Sequence, residues 1–150
     1  MKIGQHCKRC VISVRPAVDV VEAAKVMRDQ HVGFLVVCAE VDKRDKPVGV
    51  LTDRDIVLQM TANDVSARSV LVENVMTPHP LMATETDELD EVLQAMRLAG
   101  VRRVPVVDAG GALIGIFAVD DAIDLLSGLL GDVAGSIKSE QRQERLARPG

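Results

Sequence analysis

The feature that most limits how this chain can fold is that it repeats itself. V-V-E-A-A-K-V-M-R-D-Q-H-V at residues 20–32 is answered by L-D-E-V-L-Q-A-M-R-L-A-G-V at 89–101, Met27 matching Met96 at an offset of 69. Helical period runs through both copies. Val20, Ala24 and Met27 share one face of the first, and Leu89, Val92, Leu93 and Met96 share one face of the second. Asp87, Glu88, Asp90 and Glu91 gather where a helix N-terminus favours negative charge. A leading segment repeats as well, Ile3-Gly4-Gln5-His6-Cys7 against Val72-Glu73-Asn74-Val75-Met76.

After each helix comes a short apolar run, Phe34 to Cys38 or Val104 to Val107, then a polar turn, then a second run, Pro47 to Leu51 or Leu113 to Phe117. The turns read V-D-K-R-D-K and D-A-G-G, and the glycine pair marks a tight reversal. Past the turns the offset falls to 66, Gly49 answering Gly115 and Asp55 answering Asp121, because the first turn is longer. Each copy therefore reads strand, helix, strand, strand, helix, an α/β (α+β) pattern. A unit of roughly 60 residues cannot easily bury both faces of its sheet alone, whereas two packed copies can. The expected organisation is two pseudo-symmetric repeats, 3–62 and 72–130, packed through their sheets and joined by a polar connector at 63–71. A tail at 131–150, helical or disordered, has no counterpart in the first copy. Its Glu144 and Arg148 stand four apart, as on a solvated helix face.

Composition narrows the function. The net charge is −4 with basic and acidic residues interspersed, and the only aromatics are Phe34 and Phe117. There is thus neither a basic field for nucleic acid or an anionic membrane surface nor a platform on which bases stack. No apolar run approaches the roughly 18 residues that span a bilayer, and the first residues lack a secretory pattern, so the expected address is the cytoplasm. Three cysteines without an export signal are expected to be reduced thiols, Cys38 as a small buried hydrophobe. Cys7 and Cys10 have C-x-x-C spacing, which raises a zinc or redox sensor as a third-ranked reading. Structural zinc wants four ligands, and adjacent His6 and Cys7 cannot easily face one ion. His31 and His79 have no partner acid or nucleophile at recognisable spacing and read as polar turn residues.

The richest stretch is G-V-L-T-D-R-D-I-V at 49–57, whose second copy is G-I-F-A-V-D-D-A-I at 115–123. A strand meets a helix here, and the first helical N–H groups lack partners. Thr52 and Asp55 either cap that end or serve a ligand. A hydroxyl suits a phosphate oxygen, while a carboxylate repels phosphate but accepts from ribose hydroxyls. Arg54, a cation in the first turn, is opposed by the helix dipole unless an anion lies near, either Asp53 or a phosphate. Catalysis is not expected: Asp53 and Asp55 point to different faces, and no base, nucleophile or further metal ligand accompanies them.

G-V-L-T-D-R-D-I, the V-M-T-P of Val75 to Pro78, and V-R-R-V-P-V-V-D at 101–108, recurring at matched places, give a chain that resembles the cystathionine-β-synthase (CBS) domain pair, or Bateman module, from about residue 3 to 128. The resemblance implies a cleft between repeats that binds adenosyl compounds such as AMP, ATP, NAD or S-adenosylmethionine, and modules that pair into a flat homodimer. The family motif is Gly, two apolar residues, Thr or Ser, two residues, Asp. Gly49, Thr52 and Asp55 match it fully; Gly115 and Asp121 match, but Ala118 replaces the hydroxyl. The resemblance also puts Arg102 and Arg103 near ligand phosphates, where the first copy has Gly33 and Phe34; a solvated strand end or an ion pair with Asp108 or a neighbouring acid is the other reading. The expected function is a non-catalytic sensor requiring no cofactor, with an adenosyl effector held by Thr52, Arg54, Asp55, Arg102, Arg103 and Asp121. The alternatives are a ligand-free structural dimer or interaction module and, third, the thiol or zinc sensor through Cys7 and Cys10.

Overall fold

In the computed structural model, which describes residues 1–147, the first repeat runs β1 (Ser13–Val14), α1 (Val20–Gln30), β2 (Phe34–Val41), β3 (Arg44–Thr52) and a short α2 (Asp53–Ile56) whose coil continues through Val57–Thr61. A brief strand, β4 (Thr77–Pro78), precedes the second repeat: β5 (Ala83–Thr84), α3 (Leu89–Ala99), β6 (Arg103–Val107), β7 (Leu113–Ala118) and α4 (Val119–Ala147). The chain divides into two units, Met1–Phe117 with both sheets, and a second from Ala118 onward that is chiefly α4.

The paired helices are delimited as their sequences require. The Asp19 carboxylate accepts from the Glu22 N–H at 2.8 Å and caps α1. At the other end His31 takes a left-handed conformation, φ 54°, and Gly100 takes the same role for α3 at φ 67°. Val20, Ala23 and Met27 are buried on α1, and Leu89, Val92 and Met96 on α3. Ala24 and Leu93, expected on those faces, are only half-buried: the buried stripe centres one position earlier.

The first polar turn is tighter than expected. Asp42 and Lys43, both left-handed at φ 53° and 60°, make a two-residue reversal, and strand pairing runs up to Val41 opposite Arg44. V-D-K-R-D-K is therefore mostly strand, and a register irregularity between Val37 and Cys38 absorbs the odd residue. In the second copy Asp108 closes the turn by accepting from the N–H groups of Gly110 at 2.8 Å and Ala112 at 3.0 Å.

The two repeats of the first unit exchange their leading segments. The Ile3 N–H donates to the Asp87 carbonyl at 2.9 Å and Gly4 to Glu85 at 3.0 Å; reciprocally, Val72 donates to Val18 at 2.8 Å and Glu73 to Pro16 at 3.0 Å. Lys8 bridges to Ile116 on β7, while β4 pairs with β3, Val50 opposite Thr77. Each of these contacts has its partner contact at the repeat offset, so the exchange obeys the internal pseudo-symmetry. Val72 accordingly sits in the apolar core of the first repeat with Ala23, Met27, Leu35, Val37 and Leu51. The Lys2 ammonium, 2.5 Å from Glu88, holds that carboxyl down at about 2. Both groups are exposed, so this pair fixes register more than it adds stability.

Two glycines make the exchange possible. A Cβ on Gly49 would lie 2.3 Å from the Met76 sulfur, and one on Gly115 would lie 2.7 Å from the Cys7 sulfur. The motif glycine is thus the floor on which the other repeat's leading segment rests.

The helix from Val119 extends unbroken to Ala147, so the tail is helical as far as it is described. The expected Glu144–Arg148 spacing ends on a residue outside the described ones.

Candidate functional site

At the β3–α2 junction the Thr52 hydroxyl accepts from the Asp55 N–H at 3.1 Å, and the Asp55 Oδ2 accepts from the Thr52 N–H at 2.9 Å. This reciprocal capping box satisfies two donors that would otherwise lack partners. It also leaves chemistry to spare: the Thr52 hydroxyl proton can still be donated, and the second carboxylate oxygen of the half-buried Asp55 can still accept. In the second unit the Ala118 N–H makes the same bond to Asp121 Oδ2, 2.9 Å, without a hydroxyl to complete the box. Capping alone therefore accounts for the recurrence of this aspartate.

Thr52, Asp55 and Arg54 border a cleft of about 640 Å³ in the first unit, with Arg102 and Arg103 on its wall. That lies within the roughly 300–1,000 Å³ typical of small-molecule sites. Five of the six site residues read from the sequence thus meet at one place, from both repeats; Asp121 belongs to the second unit. Arg103 lies over the Phe34 ring, 5.9 Å from its centroid. The Asp108 carboxylate pairs with Arg44 instead of Arg102 or Arg103, and its backbone donors and that arginine hold it below the usual carboxylate range. Asp53 Oδ1 accepts from the Arg54 N–H at 2.8 Å, and its Oδ2 lies 2.6 Å from where a Cβ on Gly33 would stand, so a side chain at residue 33 would collide with it.

Sequence reasoning missed the rest of the wall. Phe34, Thr77, His79, Leu81 and Val101 line the cleft with aliphatic, aromatic and imidazole surface. The available signal was the repeated leading segment: Thr77 to Leu81 follows it, and its exchange onto β3 brings those residues to the first repeat's motif. A smaller cavity of about 280 Å³ is the pseudo-symmetric mate of the cleft, with Lys8, Cys10 and Ile12 where the cleft has Thr77, His79 and Leu81.

The thiols separate. Cys7 donates to the Gly4 carbonyl at 3.7 Å, Cys10 is exposed, and Cys38 is buried with its thiol pushed up to about 11 by desolvation. Among the described residues no three His, Cys, Asp or Glu side chains gather as a metal site, and no helix is long and apolar enough to cross a membrane.

An uncharacterized 17.7 kDa protein of Acidianus ambivalens is 34% identical over 120 residues, covering 80% of this chain and 70% of that protein. Among solved structures, a CBS domain protein of Pyrobaculum aerophilum complexed with AMP aligns at TM-score 0.72 and 25% identity, covering 81% of this chain and 89% of that one. The CBS domain pair of protein MJ0100, in complex with 5′-methylthioadenosine and S-adenosyl-L-methionine, aligns at TM-score 0.72 and 25% identity, covering 85% and 97%. The CBS domain model matches twice, at residues 3–61 and 72–128, the two stretches that the internal repeat and the segment exchange define. With two matched segments folded against each other around one cleft, the chain belongs to the CBS domain family, as a CBS domain pair.

Proposed function

We propose that this chain is a regulatory module without chemistry of its own, which binds an adenine nucleotide or related adenosyl ligand in the 640 Å³ cleft and changes its interactions in response. The carrying observation is that Thr52, Asp55 and three arginines from two repeats converge on one cleft, in a fold whose solved relatives were captured with AMP, 5′-methylthioadenosine and S-adenosyl-L-methionine. Charge sign assigns the roles. The arginines and the Thr52 hydroxyl take phosphate or another anionic group, and the open oxygen of Asp55 takes ribose hydroxyls. Aliphatic side chains such as Val50, Leu81 and Val101 sandwich the base. Regulation then requires a ligand that favours one of two states of the module.

Melting curves with AMP, ATP, NAD and S-adenosylmethionine test this. The bound ligand is expected to stabilise the protein by about 2.7 kcal/mol at a hundredfold excess over its dissociation constant. Asp55→Ala is expected to lower the ligand-free melting temperature slightly, by loss of the capping box, and to abolish the ligand-induced shift. No shift with any of the four, or a full shift in Asp55→Ala, sinks the reading.

A second reading, a homodimer or interaction module, is favoured by α4. Its Ile123, Leu126, Leu130, Val133 and Ile137 are exposed at alternating three- and four-residue spacing, the pattern of a helix–helix seam. We infer that a second copy covers it: sedimentation of the wild-type chain is expected to give a dimer, and the double substitution Leu126→Asp, Leu130→Asp a monomer that keeps its ligand shift. A wild-type monomer throughout the micromolar range refutes the pairing.

A further inference from the structure

Phe34 and Arg103 occupy equivalent places in the two repeats, each opening the first long strand after its helix. Equivalent residues of a pseudo-twofold pair can touch only across the pseudo-axis, and these two do, the guanidinium lying over the ring at 5.9 Å. Both side chains line the 640 Å³ cleft and both line its 280 Å³ mate. The pair is therefore the partition between the two cavities, and an asymmetric one, with a single arginine where symmetry offers two places. Away from the partition the cavities also differ: the cleft has Arg54 and Arg102, whereas its mate has Lys8 and, opposite Arg102 in the repeat, Gly33.

A guanidinium over a phenyl ring is held more weakly than one in a bidentate phosphate pair, so an incoming phosphate draws Arg103 off Phe34. A bidentate phosphate pair commits the guanidinium fork to one side of the partition and withdraws it from the other. We propose that Arg103 is the anion ligand both cavities draw on, so that a nucleoside monophosphate in the larger cleft excludes a second from the smaller cavity and the chain binds one phosphorylated ligand. This rests on the adenosyl-binding reading above and adds to it a stoichiometry and a residue that sets it.

Titration calorimetry of the full chain with AMP distinguishes the two. Wild-type protein is expected to bind one AMP per chain. Phe34→Arg, which supplies the arginine missing from the symmetric place, is expected to bind two. Arg103→Leu is expected to weaken the single site by roughly tenfold or more, the value of one charge-assisted contact. Because Phe34→Arg also alters packing, methyl resonances of Ile12, which lines only the smaller cavity, provide a readout in the unaltered protein. They are expected to show no second saturable phase up to a hundredfold excess of AMP. Two AMP per wild-type chain with affinities within about threefold, a second phase at Ile12, or a folded Phe34→Arg that still binds one AMP overturns the sharing of Arg103 and leaves the adenosyl reading intact. Absence of any AMP, ATP, NAD or S-adenosylmethionine binding to wild-type protein overturns that reading and this one with it.

Discussion

Phe117→Ala is expected to lower the free energy of unfolding by about 3–5 kcal/mol, measured by urea titration. Phe117 has no exposed surface and is the aromatic of the core, since Phe34, the other one in the chain, is only half-buried and stands at the cleft wall. Truncation leaves a phenyl-sized void that its surroundings fill poorly. The neighbouring strand β6 presents Val104 and Val106, both buried and both stiff at χ1, so neither can swing into the space. Phe34→Ala serves as the internal comparison and is expected to cost about 1 kcal/mol, because a half-buried ring leaves no sealed cavity. Equal costs for the two truncations would show that β7 is not at the centre of its core.

Gly49→Val is expected to destabilise by about 1–3 kcal/mol, and Gly115→Val by at least as much. At Gly49 the obstruction is chiefly the flexible Met76 side chain, with its sulfur at 2.3 Å and Cγ at 2.9 Å from the added carbon. At Gly115 it is Cys7 sulfur at 2.7 Å together with the Lys8 backbone carbonyl at 2.9 Å, which cannot rotate away. A double-mutant cycle separates these cases. Met76→Ala is expected to recover most of the loss in Gly49→Val, whereas Cys7→Ala recovers little of the loss in Gly115→Val. Additive effects in the Gly49–Met76 cycle would remove the close approach of the exchanged segment as the reason this glycine is required.

Those glycines also show what was legible beforehand. The repeat, with its helix periodicity and apolar runs, is a local property, and it carried the element order and the pairing of Cys7 with Met76. The exchange of leading segments is not local. Nothing in Ile3 to Lys8 says which repeat it docks on, because both offer the same strand edge, and only the folded chain distinguishes a self-contained repeat from a crossed one. The cleft was half legible for the same reason. Thr52, Arg54 and Asp55 announce themselves by their motif and Arg102 and Arg103 by their charge, but Thr77, His79 and Leu81 reach the site only through β4. Asp55 and Asp121 both cap the backbone, a role that sequence spacing alone does not separate from ligand contact.

The crossed leading segments bear on how such a chain can arise. Each repeat's strand edge receives the other's leading segment, so a lone repeat in this arrangement would leave both its segment and its edge unpaired. Two identical short chains would satisfy each other by trading those segments, as in a swapped homodimer. Joined head to tail through residues 62–71, they become this molecule. Fusion frees each copy to drift, which is how one side of an inherited symmetric contact can be a phenylalanine and the other an arginine.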